Sequence, residues 1–376
     1  MPAHGSTVGA NGRGGSWTWA ALTLLALFGM PATADDDPFR IAVLPLLDLS
    51  GSAPPLGEIR VELLDSLHLR GALTLPEQEL AALMARHRIR WTGGITLEQA
   101  RAFREEAAVD GVLVTSVDLY ETGVPPKVAM TARLVSTTEQ PRILWVQSFD
   151  ITGYESPGWL EQGVVDDTQI LIERVAGAHA GSLGRWLDGE PPPVPRRPRR
   201  RFRPRSFSTP PDLREDPTVK LRVAVLPFIN DSSRKHAGYV VGLHVLRHLA
   251  RDDSIDLIEP GVVRLALLQS RLIRQDGLSL AQTDALRSLL RVDIVVTGTV
   301  MDYLDPRGRY ATPQVTFSMN AIDARLRQAV WSSTSYNRGG EKVVFYQKGR
   351  VFTAHRLASE MTHAAVESMM KPGDRR

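Results

Sequence analysis

Phe39-Arg40-Ile41-Ala42-Val43-Leu44-Pro45-Leu46 recurs 182 residues later as Leu221-Arg222-Val223-Ala224-Val225-Leu226-Pro227-Phe228. Both are short apolar runs interrupted by a proline and followed by turn formers, Asp48, Ser50 and Gly51 in one place and Asn230, Asp231 and Ser232 in the other. A continuous apolar run of this length fits a strand buried on both faces. Further landmarks recur in the same order on either side. Leu75-Pro76 answers to Glu259-Pro260 at an offset of 184, Ala108-Val109-Asp110 to Arg291-Val292-Asp293 at 183, and Leu144-Trp145 to Val330-Trp331 at 186. Four landmarks in one order, with offsets drifting by a few residues, imply two copies of one domain.

The periodicities inside each copy give its element order. Strands are expected at 41–47 and 223–229, followed by helices carrying Ile59, Leu63, Leu64 and Leu67, or Val241, Val245, Leu246 and Leu249, on one face. Short strands at 73–75 and 255–258 lead to helices opened by Pro76 and Pro260, where a missing N–H costs nothing. Thr96-x-x-Gln99 and Ser279-x-x-Gln282 are capping boxes that announce a third helix in each copy. Three extended segments follow (111–120, 128–136 and 143–151; 294–304, 314–322 and 329–336), joined by Gly-, Pro- or Asp-rich connectors as in an antiparallel meander. A long helix closes each copy, at 164–187 and 351–370. The expected fold is α/β, two tandem copies of a mixed-sheet β-α-β-α-α-β-β-β-α domain.

The chain has 376 residues, 43% hydrophobic and 23% charged, which places it among globular proteins. It has no cysteine, which excludes disulfides, thiolate metal sites and cysteine nucleophiles. Residues 17–30 are apolar and are followed by Ala32-Thr33-Ala34 and three aspartates. This pattern predicts a signal peptide over 1–34, with a retained anchor as the alternative. A stretch of that length reaches about 21 Å, short of the ~30 Å hydrocarbon layer. Export of a cysteine-free chain points to a periplasmic location.

Net charge is +3, yet Arg196, Arg197, Arg199, Arg200, Arg201, Arg203 and Arg205 crowd into ten residues without an acid, so the remaining chain sums to −4. Basic charge is therefore confined to one segment, which argues against nucleic acid as a partner. Prolines flank the arginines, and 189–218 is expected to be an extended polyproline-like linker, neither helix nor central strand. Its guanidinium groups are candidates for contact with an anionic surface, membrane lipid or lipopolysaccharide, because they pair bidentately with phosphate. The boundaries follow: copy one at 35–188, linker at 189–218, copy two at 219–371, and a tail at 372–376.

The sequences VAVLPFINDSS from Val223 and GLSLAQTDALRSLLRVDIVVTGTV from Gly277, with the strand ending Trp331-Ser332, resemble a bacterial envelope superfamily. It includes the TolB amino-terminal domain, the curli secretion channel CsgG, the FlgO-type flagellar proteins and lipoprotein activators of penicillin-binding proteins. Copy one resembles it more weakly. The resemblance implies non-enzymatic work: binding envelope proteins, assembling surface structures, or forming rings. The lipobox cysteine is missing, so lipid anchoring is not carried over.

Chemistry-bearing motifs are few. His244 and His248 share a helix face at i, i+4 spacing, but Val245 stands where a zinc protease needs glutamate and no third ligand is identifiable, so both are expected to be solvated or partly buried helix histidines. Asp110 and Asp293 fit helix-to-strand turns, Asp166-Asp167 a helix cap, and Gly298 a bulge or close backbone approach. No dinucleotide, P-loop or nucleophile-elbow motif is present, and no catalytic, cofactor or metal residue is assigned. Trp159, Phe345 and Tyr346, aromatics beyond the last strand of each copy, are candidate partner contacts. The expected function is a periplasmic scaffold or adaptor in envelope or surface-appendage assembly. The alternative is a ring-forming component of an outer-membrane secretion channel of curli type, and self-association is compatible with either.

Overall fold

Two mixed sheets, each with helices on both faces, are built in the same order from the two halves of the chain. The computed structural model describes residues 38–154, 164–190, 197–208, 219–271, 278–308, 312–341 and 350–370. The first half runs β1 (Arg40–Val43), β2 (Leu47–Asp48), α1 (Leu56–His68), β3 (Leu73–Thr74) and α2 (Glu77–Arg86). It continues with α3 (Leu97–Ala107), β4 (Gly111–Glu121), β5 (Lys127–Ser136), β6 (Ile143–Thr152) and α4 (Thr168–Leu187). After β7 (Arg205–Ser208), the series repeats as β8 (Leu221–Val225), β9 (Ile229–Asn230), α5 (Ala237–Leu249), β10 (Ile255–Leu257) and α6 (Pro260–Gln269). It ends with α7 (Leu280–Leu290), β11 (Ile294–Leu304), β12 (Gln314–Asp323), β13 (Gln328–Arg338) and α8 (Ala354–Met370). From residue 38 onward the chain packs as one unit.

The first sheet has the order β3-β1-β4-β5-β6, and the second the order β10-β8-β11-β12-β13-β7. Strands to one side of β4 and β11 are parallel, and the meander on the other side is antiparallel. The apolar run at 41–47 does not form one strand. Pro45 has no N–H to donate, so the run splits into β1 and β2, and β2 pairs separately with β4. Pro227 divides β8 from β9 in the same way.

Local devices recur as the sequence implies. Both capping boxes form: Thr96 and Ser279 accept from Gln99 and Gln282 backbone N–H, and each glutamine side chain reaches back. Asp110 accepts from Arg40 N at 2.8 Å and Asp293 from Arg222 N at 2.9 Å, so each turn aspartate ties down the start of the neighbouring parallel strand. A Cβ on Gly298 would lie 2.1 Å from the Ser318 carbonyl oxygen, which accounts for glycine there.

Each sheet buries two faces. In the first, Ile59, Leu63, Leu171 and Val175 of α1 and α4 pack on Ile41, Val43, Leu113 and Met130, while Leu80, Leu83 and Phe103 of α2 and α3 cover Ala42, Leu44 and Val112. The second sheet repeats both layers, with Val241, Val245, Leu357 and Met361 on one side and Val263, Leu286 and Leu290 on the other.

The arginine-rich segment departs from the expected extended linker. Arg200–Phe202 form a 3₁₀ turn that buries Phe202 in the second core, and Arg205–Ser208 pair antiparallel with β13 as an edge strand. Pro204 stops just short of β7, so no ladder donor is lost. One aromatic among the arginines is thus enough to fasten the segment. Replacing Phe202 with Ala should cost about 3–5 kcal/mol of stability, read from the urea midpoint, whereas Arg200→Ser on the exposed side of the same turn should change it by less than about 0.5 kcal/mol.

Candidate functional site

The two repeats meet through unlike surfaces. The face of β4, β5 and β6 opposite α1 and α4 is covered partly by α2 and α3 and partly by α5 and α8 of the second repeat. Val146 and Leu49 of the first repeat accordingly belong to the second repeat's core. The β5 strand is buried at every residue, yet it carries Lys127, Thr131 and Arg133. Each of these must find a partner inside the protein, because an unpaired buried charge is very costly.

Arg133 donates from Nε and Nη2 to Glu259 at 3.1 and 2.9 Å, and from Nη2 to the Gly93 carbonyl at 2.6 Å. Glu259 caps α6 and also accepts from Ile95 N at 3.3 Å. Gly94 and Gly261 permit this approach: a Cβ on Gly94 would lie 2.7 Å from Gly261 N, and one on Gly261 only 2.3 Å from the Ile95 carbonyl oxygen. Lys127 pairs with Asp305 at 2.8 Å and Glu121 at 3.2 Å. Thr353 donates to Asp150 at 2.7 Å, and Arg247 to Gln147 at 3.4 Å.

At the centre, Asp118 is the extra residue of a β-bulge between Val117 and Leu119 and lies on the interface side with Ser116. Its carboxylate accepts from Ser116 at 2.6 Å and from Thr131, and lies 3.1 Å from His355 Nε2. Arg234 donates to the Asp118 carbonyl oxygen. Ser148, His355 and Asp118 share the residue types of a hydrolase triad but not its geometry. Ser148 and Asp118 approach the same Nε2 atom, at 3.3 and 3.1 Å, and all three side chains are buried. A relay needs the two partners on opposite ring nitrogens and an accessible nucleophile, so this is a structural network.

Four histidines of α5 and α8 line the same region. His244 meets His355 edge-on at 4.4 Å, and His248 stacks on His363 at 4.8 Å. His244 and His248 are therefore buried more deeply than their sequence setting suggests, because the first repeat closes over them. Burial holds both imidazoles well below their usual range, and burial lowers His363 as well. In the first repeat, His179 lies against Phe149 and is pushed by burial down to about 4, partly offset by its contact with the Met130 carbonyl oxygen. Among the described residues, no three His, Asp or Glu side chains group as a metal site.

Of the arginines singled out in the sequence, Arg197, Arg199, Arg200, Arg203 and Arg205 are exposed along the edge formed by the 3₁₀ turn and β7. Arg201 turns inward: it donates to the Glu341 carbonyl oxygen at 2.7 Å and lies over the Phe202 ring. Arg196, Trp159, Phe345 and Tyr346 fall outside the described residues, as do 1–34 and the tail. The cross-repeat partners Arg133–Glu259 and Asp118–His355 were not anticipated. The available signal was a charged residue embedded in an otherwise apolar strand.

No family model and no curated protein matches the chain. Solved structures match over part of it. A PelC dodecamer from Paraburkholderia phytofirmans, in a single-substitution form, is similar over 45% of this chain and 98% of that one, at 19% identity and a TM-score of 0.32. Lipoprotein GNA1162 from Neisseria meningitidis is similar over 40% and 97%, at 16% identity and 0.29. The LpoB C-terminal domain from Escherichia coli is similar over 32% and 84%, at 17% identity and 0.24. Among the described residues, no helix is long and apolar enough to cross a membrane.

Two outcomes follow from the interface. Glu259→Gln, which strips the charge facing Arg133, should destabilise the protein by about 3–5 kcal/mol, whereas Arg133→Met combined with Glu259→Met should cost markedly less; urea unfolding of the three proteins checks this. His179, His244 and His248 protonate less readily folded than unfolded, where imidazole titrates near 6.5. Their contribution is complete above that pH and is lost progressively below it, for His179 as pH falls toward about 4, and His179 alone accounts for about 3 kcal/mol. The urea midpoint should drop between pH 7 and 5, and His179→Phe should flatten the drop; a midpoint that rises toward pH 5 would contradict this.

Proposed function

We propose that the chain is a non-enzymatic scaffold or adaptor of the bacterial periplasm, serving envelope or surface-appendage assembly. The observation that carries this is the exposed arginine row, Arg197, Arg199, Arg200, Arg203 and Arg205, held on a folded edge by the buried Phe202. A fixed row of guanidinium groups loses less entropy on docking than the same groups on a free linker, and it suits phosphate- or carboxylate-bearing surfaces. The export signal in 1–34 and the resemblance to TolB-type envelope domains agree with this setting. The conspicuous Ser-His-Asp grouping is consumed in joining the repeats, which favours a binding role over a hydrolytic one.

The test is cell fractionation combined with photo-crosslinking from position 198, which lies among the arginines and is not one of them. The expected result is a chain cut after residue 34, recovered from the periplasm and crosslinked to an envelope protein or to lipopolysaccharide, with capture lost when Arg197, Arg199, Arg200 and Arg203 become Ser. An uncut chain in the cytosol, or capture indifferent to those substitutions, would overturn the proposal.

A further inference from the structure

The contact between the repeats is head-to-tail: the helix pair α5/α8 of one lies on the sheet face of the other. An interface made from two different patches leaves each partner with one patch unused. The unused patches here are the outer face of α1 and α4, and the face of β7 and β11–β13 that points away from α5 and α8.

Register fixes what corresponds to what. Thr131 pairs with Ser116 and Ser148; its counterpart Ser318 pairs with Thr299 and Thr334. Asp150 lies opposite Ala129, as Tyr336 lies opposite Thr316. The bulge that holds Asp118 recurs between Val300 and Asp302, where Met301 is the extra residue. In the first sheet these positions lie under α5 and α8. In the second, Thr316, Ser318, Asn320 and Ser332 are half-buried, Met301 is 37% exposed and Tyr336 48% exposed. Phe207, opposite Ser332 and so on the same face, is 78% exposed.

The two unused patches differ in charge. In the internal contact, α5 and α8 bring Arg247, with His244 and His355, to a sheet face that carries Asp118 and Asp150 together with Lys127 and Arg133. The matching helix positions of the first repeat are Glu62, Asp65 and Gln169, joined on the outer side by Glu58 and Glu173. The matching sheet face has no carboxylate at those two positions; it carries Asp302, which accepts from Thr316 at 3.0 Å, and along its β7–β13 side Arg205, opposite Thr334, and Arg338, beside the Tyr336 ring. An acidic helix pair and a sheet face with a cationic β7–β13 side, each built as in the contact already made, are complementary.

We propose that the open face of β7 and β11–β13 takes the α1/α4 face of a second copy of this chain. The contact repeats the internal geometry between molecules. It stands independently of the cellular role proposed above, so failure of one does not imply failure of the other.

The test uses the chain from residue 35 onward in sedimentation velocity and light scattering across protein and salt concentration. Wild type should exceed one chain in mass, increasingly so at higher protein concentration and lower salt. Glu62→Lys with Glu173→Lys, and separately Arg205→Glu with Arg338→Glu, should each weaken association by about tenfold or more while circular dichroism melts stay unchanged. Mixing the two charge-reversed proteins should restore it, because each then offers the other complementary faces. A chain that stays monomeric up to its solubility limit, or assemblies indifferent to both reversals, would overturn the proposal.

Discussion

Arg133 and Glu259 meet where water does not reach them, and that meeting obliges the two repeats to fold as one body. A buried ion pair is tolerated only when both groups are fully engaged. Glu259 gains its engagement from Ile95, Gly261 and Arg133 together, two of the three belonging to the other repeat. Lys127 with Asp305, and Asp118 with His355, repeat the logic elsewhere in the same interface. Apolar packing alone would let the helices slide over the sheet. Directional partners at several separated points fix one register.

Duplication supplied two equal domains, and the interface made them unequal. The same sheet face is closed in the first repeat and open in the second, and the residues have diverged accordingly. Every residue of β5 is buried, whereas β12 alternates between buried and half-buried. On the helix side, α5 is largely buried because it lies between two sheets, and α1 buries chiefly Ile59, Leu63 and Leu67. Topology therefore came from the ancestor, and the patterning of each copy records its present neighbours.

That division explains what was legible in the sequence. The repeat, the capping boxes and the meander are local patterns spanning a few to a dozen residues, and propensity and periodicity govern them directly. The cross-repeat partners are separated by 126 residues for Arg133–Glu259 and 237 for Asp118–His355, and nothing local specifies them. His244 and His248 illustrate the consequence: their spacing is plain in the sequence, but their burial depends on a sheet made from the other half of the chain. The arginine segment failed for a different reason. Proline density pointed to an extended linker, while one side chain, Phe202, decided the outcome by entering the second core. The aromatics at 159, 345 and 346 lie outside the described residues, and their role rests on sequence alone.

The strand that Phe202 brings into place changes how the second sheet meets its surroundings. Without it, β13 would present a full-length edge of unpaired backbone groups, the usual template for indiscriminate strand addition. With it, the edge is only four residues long and carries Arg205, with further exposed guanidinium groups just before it. A short, cationic edge resists pairing with another strand of this chain, because its own charges would be brought together. The adjoining face has no such protection: it offers hydroxyl and amide side chains rimmed by Phe207 and Tyr336. Association is thus steered from edge to face, and the face accepts a partner bearing carboxylates more readily than one bearing arginines.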